Sequence, residues 1–155
     1  MGGVVDAAAP EDRTRQDADV DDKHMQIGEV AARTELSLRT IRHYEEIGLV
    51  VPSARSQGGF RLYTESDVAR LMVVRRMKPL GFTLEQMGDL LDATDHLDTG
   101  RGTTPDAEER ERYLGRVRSY ERAAADRIAD LRVQLERAEE FAATLRDRLE
   151  PTTPA

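Results

Sequence analysis

Apolar residues in the first third of the chain recur at helical spacing in two short stretches. The first stretch predicts a helix at about 27–34. The second follows Ser37, a favourable N-cap residue, and predicts a helix at about 38–47 with Leu38 and Ile41 facing inward. Two short helices joined by a tight turn are typical of a helix-turn-helix, whose second helix enters the major groove of DNA.

The hydrophobic pattern changes to alternation after the second helix. Gly48 should end that helix, and the apolar run 49–51 should return the chain to the core. A glycine-containing turn at 56–59 separates two short stretches, which predicts a two-stranded hairpin with Phe60 and Leu62 in the core. A hairpin in this position is typical of the wing in a winged helix-turn-helix.

Two more helices are predicted after the hairpin, followed by a polar connector. The first begins at the capping residues 64–67 and continues to about Lys78, where a Pro-Leu-Gly sequence interrupts it. A capping box at 83–86 begins the next helix, which should end near Leu91. The stretch 93–105 is rich in Asp, Thr and Gly, and is expected to be a connector.

A heptad pattern of apolar residues dominates the last third of the chain. The spacing predicts one helix over 106–150 that would reach about 65 Å, too long to bury its apolar stripe on a head domain at 25–92 alone. An identical chain is the expected partner. The expected dimer interface consists of Leu114, Val117, Ala124, Ile128, Leu131, Leu135, Ala138, Ala142, Leu145 and Leu149. The fold class is therefore mainly α, a winged helix-turn-helix head domain with a long C-terminal coiled-coil dimerisation helix.

The net charge of −7 is unevenly distributed along the chain. Residues 1–24 carry seven acids and three bases without periodicity, which predicts a disordered acidic tail, and 151–155 is expected to be a second disordered tail. Residues 25–90 carry nine bases against eight acids, with no acid between Glu46 and Glu65. The local field over the helix-turn-helix and hairpin is therefore expected to be positive, as DNA binding requires.

Several classes of protein do not fit the composition. The chain has no Cys, which excludes disulfides and zinc-thiolate sites, and it has no apolar run long enough for a membrane span. Its first residues lack a secretory signal, so a cytoplasmic location is expected. No catalytic constellation stands out, so neither an enzyme nor a cofactor is predicted.

The predicted second helix and hairpin carry the residue types that bind DNA. Arginine and threonine suit base edges, and arginine, tyrosine and the polar start of a helix suit phosphates. The candidates are Ser37, Arg39, Thr40, Arg42, His43 and Tyr44 on the helix, and Arg55, Arg61 and Tyr63 on the hairpin. The alternative is a solvated basic helix beside an ordinary surface hairpin.

Four motifs in sequence, IGEVA, RTIRHYEEIGL, GGFRLYTESDVARL and LGFTLEQM, resemble the DNA-binding domain of the MerR family of transcription regulators. The resemblance implies a homodimer with an antiparallel coiled coil that binds a pseudo-palindromic promoter element and distorts the promoter spacer. It also places Arg75, Arg76 and Lys78 near a second wing. Three residues depart from the family pattern: Glu35 stands in the turn where Gly is usual, His43 stands where an aromatic residue is common, and Pro79 interrupts an expected helix.

The effector and the partners other than DNA stay open at the sequence level. Asp92, Asp95, His96 and Asp98 could bind a hard cation or form a solvated connector, and Tyr113, Tyr120 and Phe141 could line a ligand site or pack. RNA polymerase is a candidate partner, and no effector ligand or protein is specified. Two rival functions are an architectural DNA-binding protein, against which the heptad helix argues, and a coiled-coil protein-interaction module.

Overall fold

A computed structural model describes residues 24–98 and 103–152 of the chain. The two predicted tails therefore lie almost entirely outside the described residues, as do residues 99–102 of the connector. In chain order the elements are β1 (Met25–Gln26), α1 (Ile27–Thr34), α2 (Leu38–Glu46), β2 (Ala54–Arg55), β3 (Arg61–Tyr63), α3 (Glu65–Met77), a 3-10 turn (Lys78–Leu80), α4 (Leu84–Leu97) and α5 (Ala107–Leu149). The predicted order of helices and hairpin is confirmed.

The helix-turn-helix forms largely where the sequence predicts it. Ser37 caps α2, its hydroxyl accepting a hydrogen bond from the Thr40 backbone N–H at 3.0 Å. Glu35 adopts a left-handed φ of 56° in the turn, which only glycine takes without strain. Ile41 is buried as expected, but Leu38 is 39% exposed, whereas Leu36 in the preceding turn packs against the core.

The predicted two-stranded hairpin is part of a three-stranded antiparallel sheet in the order β1-β3-β2. Met25 pairs with Tyr63 across β1 and β3, and both side chains are buried. The prediction for the hairpin side chains is therefore corrected: Tyr63 lies in the core, Leu62 is half-buried and Phe60 is 65% exposed. The apolar run after Gly48 is likewise corrected at its end, because Val51 is exposed while Leu49 and Val50 are buried.

Helix α3 is the centre of the head domain. Its capping box joins Thr64 and Asp67, and the buried Asp67 carboxylate also accepts hydrogen bonds from the hydroxyl and backbone N–H of Ser53 at 2.6 and 3.1 Å. Val68, Leu71 and Val74 face the core at helical spacing. Helix α3 is also joined to its neighbours by ion pairs, which are Arg33–Glu65 to α1, Arg75–Glu35 to the turn before α2, and Arg70–Asp95 to α4.

Helix α4 continues to Leu97, six residues beyond the predicted end at Leu91. The capping box of Thr83 and Gln86 is confirmed, with hydrogen bonds of 2.9 and 3.1 Å. The extension was missed because residues 92–98 are polar. In the structure these polar residues bind other side chains: Asp95 pairs with Arg70, and Asp92 pairs with Arg116 of α5 at 2.9 Å. The predicted connector therefore begins as helix.

The long C-terminal helix α5 is confirmed and has 43 residues. Its N-terminal part packs against α4, where the Tyr120 hydroxyl donates to Asp89 at 2.7 Å and the Phe82 and Tyr120 rings meet edge to face at 5.9 Å. Val117 and Ala124, predicted as dimer contacts, line a cleft of the same chain with Val73, Met77, Leu80, Phe82 and Leu90. From Ile128 to Leu149 every residue of α5 is exposed.

Candidate nucleic-acid interface

The outer face of α2 presents a cluster of basic groups. Arg39, Arg42 and His43 are exposed, and Thr40 is half-buried beside them. Together with Tyr44, Glu46 and Lys78 they line an open groove of about 740 Å³. Among the described residues, neither Arg39 nor Arg42 has a hydrogen-bond or ion-pair partner. These guanidinium groups are therefore free to bind phosphates or base edges.

The start of α2 carries a pair of hydroxyl groups. The Ser37 and Thr40 hydroxyls lie 2.8 Å apart, and Ser37 also accepts from the Thr40 backbone N–H. Both side chains are at the N-terminal end of the helix, where backbone N–H groups and the helix dipole favour an anion. The structure therefore places the predicted Ser37 and Thr40 beside Arg39 at the N-terminal end of α2.

The two tyrosines predicted to contact DNA lie in the core. Tyr44 is buried in the hydrophobic cluster and reaches only the edge of the groove, and burial raises the pKa of its phenol. The whole Tyr63 side chain is inaccessible, and its hydroxyl has no hydrogen-bond partner among the described residues. Burial also raises the pKa of Tyr63. The structure contradicts the prediction that Tyr63 presents its hydroxyl to a phosphate, because the pairing of β3 with β1 turns that ring inward.

Glu45 is the residue at this surface that the sequence did not single out. Its carboxylate binds Arg55 of β2 through one oxygen and Arg61 of β3 through the other. The hydrogen bond from Arg61 to this carboxylate raises the pKa of the guanidinium group. The two wing arginines thus lie beside α2, and each is part of the link between wing and helix. No spacing rule could have found this contact, because Glu45 and Arg61 are 16 residues apart.

The three basic residues assigned to a second wing differ in their surroundings. Arg75 is paired with Glu35, so it stabilises the turn between α1 and α2. Arg76 and Lys78 are exposed and have no ion-pair partner in the described part of the chain. Lys78 borders the same groove as Arg39 and Arg42, which extends the basic surface across the end of α3.

Most of the residues considered for an effector site have intramolecular partners. His96 stacks on Tyr113 with ring centroids 4.5 Å apart, and it lies 3.4 Å from Asp92. Asp95 is held by Arg70. Within 24–98 and 103–152, no group of three or more acidic or histidine side chains is arranged to hold a metal ion. Phe141 is exposed on α5, apart from Tyr113 and Tyr120. None of the helices in these segments has the length and apolar composition of a membrane span.

Comparison with known sequences gives a consistent result. The sequence model described as "MerR HTH family regulatory protein" matches residues 25–94. The HTH-type transcriptional regulator CueR of Salmonella typhi is 37% identical over 100 residues, which cover 61% of this chain and 72% of that protein. The HTH-type transcriptional regulator ZntR of Escherichia coli K12 is 48% identical over 65 residues, covering 42% of this chain and 46% of that protein.

Comparison with solved structures shows the same fold. A MerR-family regulator from Bacillus thuringiensis aligns with a TM-score of 0.61 and 18% identity, over 80% of this chain and 98% of that one. HiNmlR, a MerR family regulator lacking the sensor domain and bound to promoter DNA, aligns with a TM-score of 0.59 and 20% identity. The alignment covers 80% of this chain and 91% of that one. These structures share the fold of this chain, and the 37% identity to CueR over 72% of that protein shows that the chain belongs to the MerR family of DNA-binding transcription regulators.

Proposed function

We propose that the protein acts as a homodimer on a pseudo-palindromic promoter element, with α2 of each subunit in the major groove of one half-site. The observation that carries this proposal is the pair of unpaired guanidinium groups, Arg39 and Arg42, on the exposed face of a capped helix beside a basic wing. In this arrangement Arg39 and Thr40 read base edges, and Arg42 with the wing arginines binds phosphates.

Dimerisation is supported by the apolar stripe on the second half of α5. The leucines and isoleucine of this stripe are exposed in the single chain, up to 57% at Leu135 and 81% at Leu149. Burying apolar surface contributes about 25 cal/mol per Å², and a second copy of the same helix offers a matching stripe. The resemblance to the family favours an antiparallel arrangement, which would set two α2 helices at a fixed separation on one face of the DNA.

The regulatory step proposed for the dimer is distortion of the promoter spacer. Proteins that bend or untwist DNA spend part of their binding energy on deforming it, and two rigidly linked heads can impose such a change. The structural relative HiNmlR was solved bound to promoter DNA, which supports promoter DNA as the ligand here. RNA polymerase is then the proposed partner, and the cytoplasm is the proposed location.

The test is selection of binding sites from a random duplex pool by the purified full-length protein. The expected result is an inverted repeat, with Arg39→Ala relaxing the base preference at particular positions by about 1–3 kcal/mol. Arg122→Ala, which removes an exposed arginine from α5, is the matched control and should select the same sites as wild type. Recovery of sites without an inverted repeat, or of no enriched sequence at all, would refute the proposed mode of action.

A further inference from the structure

Glu45 of α2 makes the side-chain ion pairs that join this helix to the two strands of the wing, β2 and β3. Its two carboxylate oxygens accept hydrogen bonds from Nη2 of Arg55 and from Nε of Arg61. The Glu45 side chain is 16% exposed, whereas the arginines are 48% and 29% exposed. The carboxylate is thus more buried than either guanidinium group that it binds, and the cations lie on the solvent side of the contact.

The position of Glu45 resolves a charge conflict inside the wing. Arg55 and Arg61 are direct cross-strand neighbours in the β2–β3 pair. Like charges directly opposite one another destabilise a sheet, and the Glu45 carboxylate between them offsets that repulsion. It also reduces the net positive charge that the wing can offer to DNA from two to one, because one negative charge is shared by two cations.

The contact with Arg61 leaves the end of that side chain available. Glu45 binds Arg61 through Nε, and no hydrogen bond of the two terminal nitrogens occurs among the described residues. These terminal N–H groups form the planar fork that matches a phosphate. The carboxylate therefore fixes the guanidinium at its inner edge and directs the outer edge to solvent.

We propose that Glu45 is a positioning residue that determines specificity: it orients the wing arginines toward the DNA backbone and keeps their affinity for non-operator DNA low. This inference rests on the proposed function. Binding to arbitrary DNA is electrostatic and grows with each cation that replaces a counterion. A wing with two free arginines would bind a DNA duplex of any sequence. A wing whose arginines are paired with Glu45 binds DNA well only when α2 also occupies the major groove of its half-site.

The experiment measures binding of full-length variants to a random-sequence duplex and to the operator duplex that wild type selects, over a range of salt concentrations. Glu45→Gln should steepen the slope of log K against log salt on the random duplex by about 0.9, the value for one additional phosphate contact. The ratio of operator to random affinity should fall several-fold. Glu45→Asp keeps the charge and should keep the wild-type slope.

The matched control is Glu46→Gln, which removes the same charge from the next residue of α2. Glu46 is 73% exposed, and its ion-pair contact is with His43 at 4.0 Å rather than with a wing arginine. An equal change of slope in Glu46→Gln would overturn the inference, as would a Glu45→Gln protein with unchanged slope and ratio. If wild type itself fails to distinguish operator from random duplex, the proposed function fails instead.

A second variant keeps the inference testable if circular dichroism shows that Glu45→Gln does not fold. Arg61→Lys retains the charge, but lysine lacks the planar guanidinium group whose separate N–H edges can bind Glu45 and a phosphate at the same time. Its slope on the random duplex should stay at the wild-type value while its operator affinity falls several-fold. Unchanged operator affinity in Arg61→Lys would overturn the positioning role.

Discussion

The two halves of α5 differ in what surrounds them, although one heptad pattern runs through both. The first half lies on the head domain, where Arg116 reaches Asp89 at 2.5 Å and Tyr120 packs against Phe82. In the second half, from Ile128 to Leu149, every residue is exposed, the apolar ones included. The same periodicity thus serves an intramolecular contact at one end and leaves an uncovered stripe at the other.

This difference divides the apolar stripe into a part that packs within the subunit and a part that is exposed. Val117 and Ala124 line a cleft with residues of α3 and α4, so part of their apolar surface faces the same subunit. Leu131 and Leu135 are 38% and 57% exposed, and they are the positions proposed to pack against a second chain. Substitutions in the first half are therefore expected to affect subunit stability, whereas substitutions in the second half should affect association.

The largest expected effect is the loss of the dimer when a charge enters the second half of the stripe. Leu135→Asp would place a carboxylate in the proposed seam at a cost of several kcal/mol, so the variant should sediment as a monomer at micromolar concentration. Val133→Asp is the matched control, because Val133 is 44% exposed but lies off the heptad positions. A Leu135→Asp variant that remains dimeric would show that the second half of α5 is not the interface.

A smaller loss is expected when the contact between head domain and first half is weakened. Phe82→Ala removes the ring that meets Tyr120 at 5.9 Å, and it should lower the free energy of unfolding by about 2 kcal/mol, less than for a fully buried phenylalanine. Denaturant unfolding at a fixed protein concentration measures this, because the stability of a dimer depends on concentration.

Phe60→Ala provides the comparison for Phe82→Ala, because it is the same substitution at a side chain that is 65% exposed. It should change the free energy of unfolding by less than about 0.5 kcal/mol. Equal losses in the two variants would contradict the special role assigned to the Phe82–Tyr120 contact in joining α5 to the head domain.

The smallest expected effect is a pH dependence of the same junction. The hydrogen bond from Tyr120, with that from Arg116, lowers the pKa of Asp89 below its ordinary value of 3.8. A lowered folded-state pKa stabilises the protein above the unfolded pKa, and this stabilisation is lost as the pH falls through the folded value. Asp89→Asn should therefore cost less than about 1 kcal/mol near neutral pH, because Asp89 is partly exposed, and the cost should shrink toward acid.

The same junction should give a second signal at alkaline pH. Burial, and then the hydrogen bond to Asp89, raises the pKa of Tyr120 to about 12. A raised folded-state pKa stabilises the protein below the unfolded pKa, and this contribution is lost as the pH rises through the folded value. Asp126→Asn, at an exposed position of α5, should leave both titrations unchanged. If the free energies of unfolding of wild type and Asp89→Asn differed by the same amount at every pH, the role assigned to the Asp89–Tyr120 hydrogen bond would be contradicted.

Elements that depend on neighbouring residues could be predicted from the sequence. Ser37 caps α2, Gly48 follows its end with a φ of 71°, and Thr83 with Gln86 begins α4, because each of these contacts spans only a few residues. Helix α2 with Arg39 and Arg42 was predictable for the same reason. Its exposed face follows from helical spacing alone.

Features that depend on distant residues were decided only by the tertiary structure. Strand β1 could be identified only from its pairing with β3. That pairing, rather than the local alternation of residues, turns Tyr63 inward, while Phe60 is exposed. The polar end of α4 is helical because its acids meet Arg70 and Arg116. Glu45 forms ion pairs with arginines on two strands, Arg55 of β2 and Arg61 of β3. Such contacts join segments that are far apart in the chain. The hydrophobic period and the capping rules describe only neighbouring residues, so they cannot predict these contacts.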